Sequence, residues 1–351
     1  MISERRKTRK IKVGSAFLGG DSTVKIQSML NAPAHDIEAN VAQAAELEKA
    51  GCEIIRIAFP DKEAVRLIEA VKKTVNIPVV ADIHFDYRLA LLAVDAGADK
   101  IRINPGNIGA NDRVKAVADR CRNAGVPIRI GVNSGSVERD LLEKYGGPTP
   151  RALAESAVKN ANLLERYDFG NIVISIKSSN VTNTYDANMQ VAKLCDYPLH
   201  LGVTEAGTEL KSAIKSSAAL GGLLLCGVGD TVRISITGDP VREVVCAKEL
   251  LQSLGLRKKG VTFVSCPTCG RTKIDLVGLA KAVEKELENC DKPITVAVMG
   301  CAVNGPGEAK EADIGVAGGD GCGVIFRKGE IIKKVPEEKL LPELIAQIEK
   351  L

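Results

Sequence analysis

Ala50-Gly51-Cys52-Glu53-Ile54-Ile55-Arg56-Ile57 returns as Ala96-Gly97-Ala98-Asp99-Lys100-Ile101-Arg102-Ile103, and again, one residue shorter, as Ala124-Gly125-Val126-Pro127-Ile128-Arg129-Ile130. Amphipathic stretches lead into these copies, Asp36 to Lys49 before the first and Tyr87 to Asp95 before the second. The glycine therefore falls where a helix ends in left-handed backbone, which glycine adopts without a side-chain clash. Branched apolar residues follow at once, the reading of a buried strand. Continued along the chain, the pattern predicts strands near residues 24–28, 54–58, 79–83, 100–104, 128–132, 172–176, 199–203 and 231–236, with helices between them. Eight strand–helix units in succession predict an α/β fold of TIM type, a (β/α)8 barrel. A doubly wound open sheet shares the alternation; the number of units favours the barrel.

Strands of such a barrel are covered on both faces and read as nearly continuous apolar runs. Here Arg56, Arg102, Arg129, Lys177 and Arg233 each sit late in a branched apolar run. A buried cation without a partner costs several kcal/mol. The acids late in strands are Asp82 and Glu205, so five cations face two carboxylates and three positive charges are left over. They gather at the C-terminal face, where these barrels carry their active sites. A phosphate or diphosphate is the expected occupant, held by planar guanidinium groups. Asn133 and Ser235 can add neutral donors. Asp82 and His84, in A-D-I-H-F-D, either orient substrate hydroxyls or satisfy the barrel interior. Glu205 is a counter-ion or an acid–base group: neighbouring cations hold it ionised, while burial and a bound diphosphate raise its proton affinity.

The barrel reading covers residues 1–254. Gly255 to Gly260 reads as a linker, and residues 261–351 as a small α/β domain. Its expected elements are a strand ending at Cys266, a helix over Leu276–Glu288, a strand ending near Gly300, a turn at Lys328-Gly329 and a last helix from about Glu337. Cys266 and Cys269 form C-P-T-C, and Cys301 opens C-A-V-N-G-P-G-E, which ends at Glu308. The three histidines, His35, His84 and His200, all lie upstream, so a zinc site of cysteine and histidine has no local histidine to complete it. Thiolates are the soft ligands of iron–sulfur clusters, and a carboxylate holds iron more weakly. Cys266, Cys269, Cys301 and Glu308 would therefore hold a cubane with one exchangeable position, which suits a catalytic cluster. A redox dithiol or a zinc knuckle uses the same cysteine spacing, and Cys290 or Cys322 could supply a fourth thiolate. Gly305-Pro306-Gly307, read as a tight non-helical loop, favours the cluster.

Composition sets the outer limits. No apolar run approaches the roughly 18 residues that span a bilayer, and the chain opens polar with no apolar stretch behind, so neither a membrane anchor nor a secretory leader is expected. A cytoplasmic protein follows, with its 10 cysteines as thiols or metal ligands. Cys52, Cys121, Cys195, Cys226 and Cys246 stand singly among apolar neighbours and read as small core residues. The absence of Trp and the 3% aromatic content leave little surface for stacking bases, which argues against a nucleic-acid partner. Residues 260–351 carry 12 basic and 14 acidic side chains against a net charge of +4 for the whole chain. The cations of Arg5 to Lys10 read as a solvated tail.

The barrel cations with Glu205, followed by C-P-T-C and C-A-V-N-G-P-G-E, resemble the bacterial 4-hydroxy-3-methylbut-2-enyl diphosphate synthase family over essentially the whole chain. The resemblance implies reductive opening and dehydration of 2-C-methyl-D-erythritol 2,4-cyclodiphosphate in the non-mevalonate isoprenoid pathway. It implies a 4Fe-4S cluster fed by ferredoxin or flavodoxin, Glu205 as proton donor to the departing hydroxyl, and Asn304 as a hydrogen-bonding partner of the substrate. Two other readings share parts of the pattern: a non-redox barrel enzyme with structural zinc, and an iron–sulfur sensor without turnover. Topology adds an assembly. The last barrel helix runs back toward the face opposite the phosphate site, and a ten-residue linker spans at most about 33–36 Å. A head-to-tail homodimer is expected, each small domain covering its partner's barrel mouth.

Overall fold

The computed structural model describes residues 4–258, 260–288, 290–301 and 305–351. The chain parts between Leu256 and Arg257 into two compact units. In the first, eight strands run β1 Lys25–Met29, β2 Ile54–Ala58, β3 Val79–Asp82, β4 Lys100–Ile103, β5 Ile128–Asn133, β6 Ile172–Lys177, β7 His200–Leu201 and β8 Thr231–Val232. Their order in the sheet is β6-β5-β4-β3-β2-β1-β8-β7. Every pairing is parallel. The parallel bridge Ile174–Leu199 joins β6 to β7 and closes the ring. Gly51 and Gly125 end their helices at φ 99° and 68°, as the repeat predicts. The last two strands are shorter than expected. Their ladders stop where Gly202 and Arg233 enter the barrel mouth, although Arg233 N–H still donates to Leu201 O at 2.9 Å.

An N-terminal hairpin, Ile11–Val13 with Ala16–Leu18, closes the opposite end. Its Ile11, Val13 and Leu18 pack with Ile54, Val80 and Val173, the lowest inward residues of three barrel strands. The basic segment before it is not a solvated tail, contrary to expectation. Arg6 donates to the carbonyls of Ala192 (3.0 Å), Cys195 (2.6 Å) and Tyr197, at and beyond the end of the helix Val181–Leu194. Arg5 pairs with Asp230 at 3.0 Å, and Arg9 lies over the Tyr197 ring, 4.2 Å from its centroid. The last carbonyls of a helix lack partners within it, and cations are favoured there. The sequence shows the charges but not the helix end that they serve.

Among the single cysteines, Cys52 and Cys121 are buried, and burial pushes both thiols up to about 12. Cys195 and Cys246 are half-buried, and Cys226 is exposed at the end of the helix Glu209–Leu225 rather than in the core. Among the described residues no helix is long and apolar enough to cross a membrane.

The second unit is a five-stranded sheet: β9 Thr262–Ser265, β10 Thr295–Met299, β11 Ile314–Gly318, β12 Cys322–Arg327 and β13 Glu330–Pro336, in that order. The first three strands are parallel and the last two antiparallel. Helices Leu276–Leu287 and Leu340–Glu349 pack Val283, Leu340 and Leu344 against Val296, Ile314 and Ile325. Lys328 and Gly329 both take positive φ (47° and 83°) at the hairpin, the backbone that matches strand twist in a two-residue turn. Strand β11, Ile-Gly-Val-Ala-Gly, is absent from the sequence reading because its two glycines read as loop.

Replacing Arg6 by alanine removes three donations to carbonyls with no other hydrogen-bond partner among the described residues. It is expected to cost about 2 kcal/mol, the range for hydrogen bonds to charged groups. A lower midpoint in urea unfolding with an unchanged slope checks this.

Candidate active site

The C-terminal ends of the barrel strands surround a cavity of about 200 Å³. Its walls include Arg56, Arg102, Arg129, Lys177, Arg233, Asn133 and Ser235, seven residues that the sequence pointed to. Asp82 sits among them on β3, fully buried. Its carboxylate pairs with Arg56 through Oδ2 and lies 3.2 Å from Arg102 Nη1 through Oδ1, an ion pair without hydrogen-bond alignment. His84 Nε2 is 3.6 Å from Oδ2 on a half-exposed side chain. Burial raises the Asp82 carboxyl, but Arg56 and Arg102 outweigh it and hold it down at about 2. Gly131 makes room for this group: a Cβ there would collide with the Arg102 guanidinium.

The second carboxylate is not the expected one. Arg233 pairs with Glu243, which enters from the helix Pro240–Ser253, through Nη2–Oε1 at 3.0 Å and Nε–Oε2 at 3.1 Å. Glu205 lies exposed in the loop after β7 with φ 53°, outside the residues lining the cavity. Glu243 left a sequence signal that went unread. It occupies the apolar stripe of its helix with Val244, Ala247, Leu250 and Leu251, where a lone acid is out of place without a buried cation. The Asn133 Oδ1 accepts from Gly135 N–H at 3.1 Å, leaving the donor end of the amide for a ligand.

Neither Arg129 nor Lys177 has a carboxylate within ion-pair distance among the described residues. Arg129 is buried and donates from Nη1 to Gln27 Oε1 at 3.0 Å. Burial lowers its pKa well below the usual range, and Arg56 and Arg102 lower it further. Burial likewise lowers Lys177, with Arg233 and Arg129 adding to the effect. Lys100, a further cation that the sequence reading passed over, is fully buried on β4 and finds no hydrogen-bond acceptor among the described residues. Burial, then Arg129, lowers it in the same direction. Uncompensated charge is thus concentrated on the β4–β6 side, while Arg56, Arg102 and Arg233 are held by acids.

In the second unit, parallel strands β9 and β10 end side by side and deliver Cys266 and Gly300-Cys301 to one edge. Gly300 N–H donates to Cys266 Sγ at 3.1 Å, and Lys273 N–H donates to Gly300 O at 3.1 Å. An N–H from Arg271 is the largest influence holding the exposed Cys269 thiol below its usual value. Amide donation to sulfur and a stabilised thiolate both suit a soft metal centre. Among the described residues no three Cys, His, Asp or Glu side chains are gathered as a metal site. Asn304 and the side chain of Glu308 lie outside the described residues. The backbone Gly305–Glu308 forms one helical turn, with Gly305 N–H on Cys301 O at 3.0 Å. This corrects the non-helical reading: proline is tolerated in a first turn, where its missing N–H has no intrahelical partner.

A closed parallel barrel with a cation-lined mouth, followed by a small cysteine-bearing α/β unit, defines a two-domain barrel protein. Residues 8–248 match the family model described as the GcpE TIM-barrel domain, and residues 262–350 match the GcpE protein C-terminal domain. The chain belongs to the GcpE family. A relative from Caldanaerobacter subterraneus subsp. tengcongensis is 56% identical over 351 residues, covering 100% of this chain and 99% of its own. One from Bacillus pumilus is 53% identical over 350 residues, covering 100% and 95%. Both are named 4-hydroxy-3-methylbut-2-en-1-yl diphosphate synthase (flavodoxin). Among solved structures, dihydropteroate synthase from Stenotrophomonas maltophilia aligns with a TM-score of 0.53 at 16% identity, over 71% of this chain and 98% of that one. The 3-dehydroquinate dehydratase of Geobacillus kaustophilus gives 0.52 at 13%, with the same coverage. These two share the barrel fold.

The sign of the Asp82 shift fixes a pH effect. A carboxyl lowered on folding stabilises the protein above its unfolded value of 3.8 and loses that contribution as pH falls through about 2. Its share is about 2 kcal/mol. Asp82→Asn is expected to cost about 3 kcal/mol at neutral pH by leaving buried arginines unpaired, and to flatten the loss of stability between about pH 4 and 2. Urea unfolding at neutral pH and between about pH 4 and 2 reads the two effects in turn.

Proposed function

We propose that the barrel mouth seats a cyclic diphosphate and that the chain performs the reaction for which its relatives are named. It is an oxidoreductase of the non-mevalonate isoprenoid pathway. It converts 2-C-methyl-D-erythritol 2,4-cyclodiphosphate into (E)-4-hydroxy-3-methylbut-2-enyl diphosphate, with flavodoxin as electron donor. Two electrons and two protons enter, the ring opens at a carbon–oxygen bond, and one water leaves. The observation that carries the site assignment is the cation surplus: five lining cations against two carboxylates, with Arg129 and Lys177 free of either acid. A diphosphate supplies the missing negative charge among largely buried cations, where each contact is stronger than at the surface.

Arg129 and Lys177 take the phosphate oxygens, with Arg56, Arg102, Arg233, Asn133 and Ser235 completing the grip. Asp82 and His84 face the hydroxyl side of the ring. Glu205, on the exposed loop after β7, delivers the proton to the departing hydroxyl. Cys266, Cys269, Cys301 and Glu308 would hold a 4Fe-4S cluster, and Asn304 would hydrogen-bond the substrate beside it. Once bound, the cluster supplies single electrons and a Lewis-acidic iron. The protein acts in the cytoplasm as a head-to-tail homodimer, each small unit serving its partner's mouth.

Metal analysis of protein purified without oxygen tests the cluster. The expected result is about four irons with matching acid-labile sulfide per chain, lost in Cys266→Ser; zinc alone overturns it. Mixed dimers test the assembly. A Cys301→Ser chain paired with a Glu205→Gln chain retains one intact mouth and one intact cluster, so activity should return. Uniformly inactive mixed dimers would rule out service in trans.

A further inference from the structure

We propose that Glu243 is a positioning residue for the anion site: it fixes the Arg233 guanidinium so that its Nη1 edge faces the bound diphosphate. The inference rests on the diphosphate reading above. Glu243 is 3% exposed, and both of its oxygens are doubly engaged. Oε1 accepts from Arg233 Nη2 and from Ile236 N–H at 3.1 Å. Oε2 accepts from Arg233 Nε and from Ser28 Oγ at 2.8 Å. The carboxylate is thereby tied to β1, to the residue after β8 and to the turn beyond, and cannot follow the arginine if it swings.

With Nε and Nη2 committed, Nη1 is the free end of Arg233. Its contact is Met29 Sδ at 3.8 Å, a weak acceptor that a phosphate oxygen displaces readily. Met29 and Arg233 both line the cavity. Arg233 thus offers one edge rather than a two-point fork, and its direction is set before the ligand arrives.

Two effects of Glu243 oppose each other. Its charge weakens the pull of Arg233 on an anion, while its geometry holds the cation in place. Arg233 lies close enough to Arg56 and Lys177 to depress both of their pKa values. Without its acid, it is repelled by that cluster and driven out of line. Positioning therefore outweighs neutralisation, and loss of Glu243 weakens anion binding although it removes a negative charge.

The test is a double-mutant cycle read by calorimetric binding of inorganic pyrophosphate to the full chain, using Arg233→Gln, Glu243→Gln and the double variant. Each single change is expected to weaken binding about tenfold, and the double no further than Arg233→Gln alone, because the second residue acts through the first. Glu243→Gln binding as tightly as the unaltered chain, or more tightly, overturns the proposal, as do effects that multiply in the double variant. Where the unaltered chain binds pyrophosphate but the proposal fails, the diphosphate reading survives. No pyrophosphate binding by the unaltered chain sinks both. Should Glu243→Gln fail to fold, Ser28→Ala loosens the same carboxylate with its charge retained. It is expected to weaken binding about threefold when Arg233 is present and not when it is Gln.

Discussion

A buried charge must find an opposite charge, and the first unit is organised around that requirement. Asp82 holds Arg56 and Arg102 from β3, and Glu243 holds Arg233 from a helix behind the sheet. These two acids divide the mouth into a settled side and an unsettled one. Where they reach, the arginines have fixed directions. Where they do not, Arg129 and Lys177 have no carboxylate within ion-pair distance among the described residues, and burial lowers the pKa of each.

The unsettled side extends below the cavity. The middle of the barrel, packed with branched apolar side chains in most proteins of this fold, here contains Gln27, Lys100, His200 and Thr231, all buried. His200 Nδ1 meets Thr231 Oγ1 at 2.8 Å, and burial, then Arg129, lowers the pKa of the ring. The apolar floor begins only at the layer of Ile54, Val80 and Val173. The barrel is therefore polar for most of its depth, and its stability falls to the outer helix–strand interface, where Leu47, Ile68, Val117, Leu153 and Leu220 are buried.

Periodic features were legible in the sequence. The glycine-then-branched repeat located the strands because a helix end and a strand start need opposite backbones at adjacent residues. The mouth arginines were legible because a charge inside an apolar run has few explanations. Partners contributed by another element were not. Glu243 belongs to a helix and meets Arg233 across the turn that follows β8, and Lys100 looks like an ordinary strand-edge lysine until its register points it inward. The tail arginines failed for the same reason: Arg6 is held by backbone carbonyls, which leave no mark in composition, and Arg5 by an acid more than two hundred residues away. In the small unit, the cysteine pattern drew attention to Cys266 and Cys301, which the strand ends bring to one edge, while the single helical turn at Gly305 depended on a hydrogen bond to Cys301 O that no residue pattern announces.

The hairpin that closes the barrel floor carries a consequence for synthesis. Residues 5–18 lie against strands whose last members, near Asp230, are made some two hundred residues later. During translation the seat for Ile11, Val13 and Leu18 stays incomplete until β6 brings Val173, and Arg5 waits longer still for Asp230. Closure of the ring and seating of the N-terminus both rest on contacts distant in sequence, of the kind that slows folding. Until the eighth strand is made, β1 and β7 lack the neighbour that lies between them, and the acid that holds Arg5 is not yet in place.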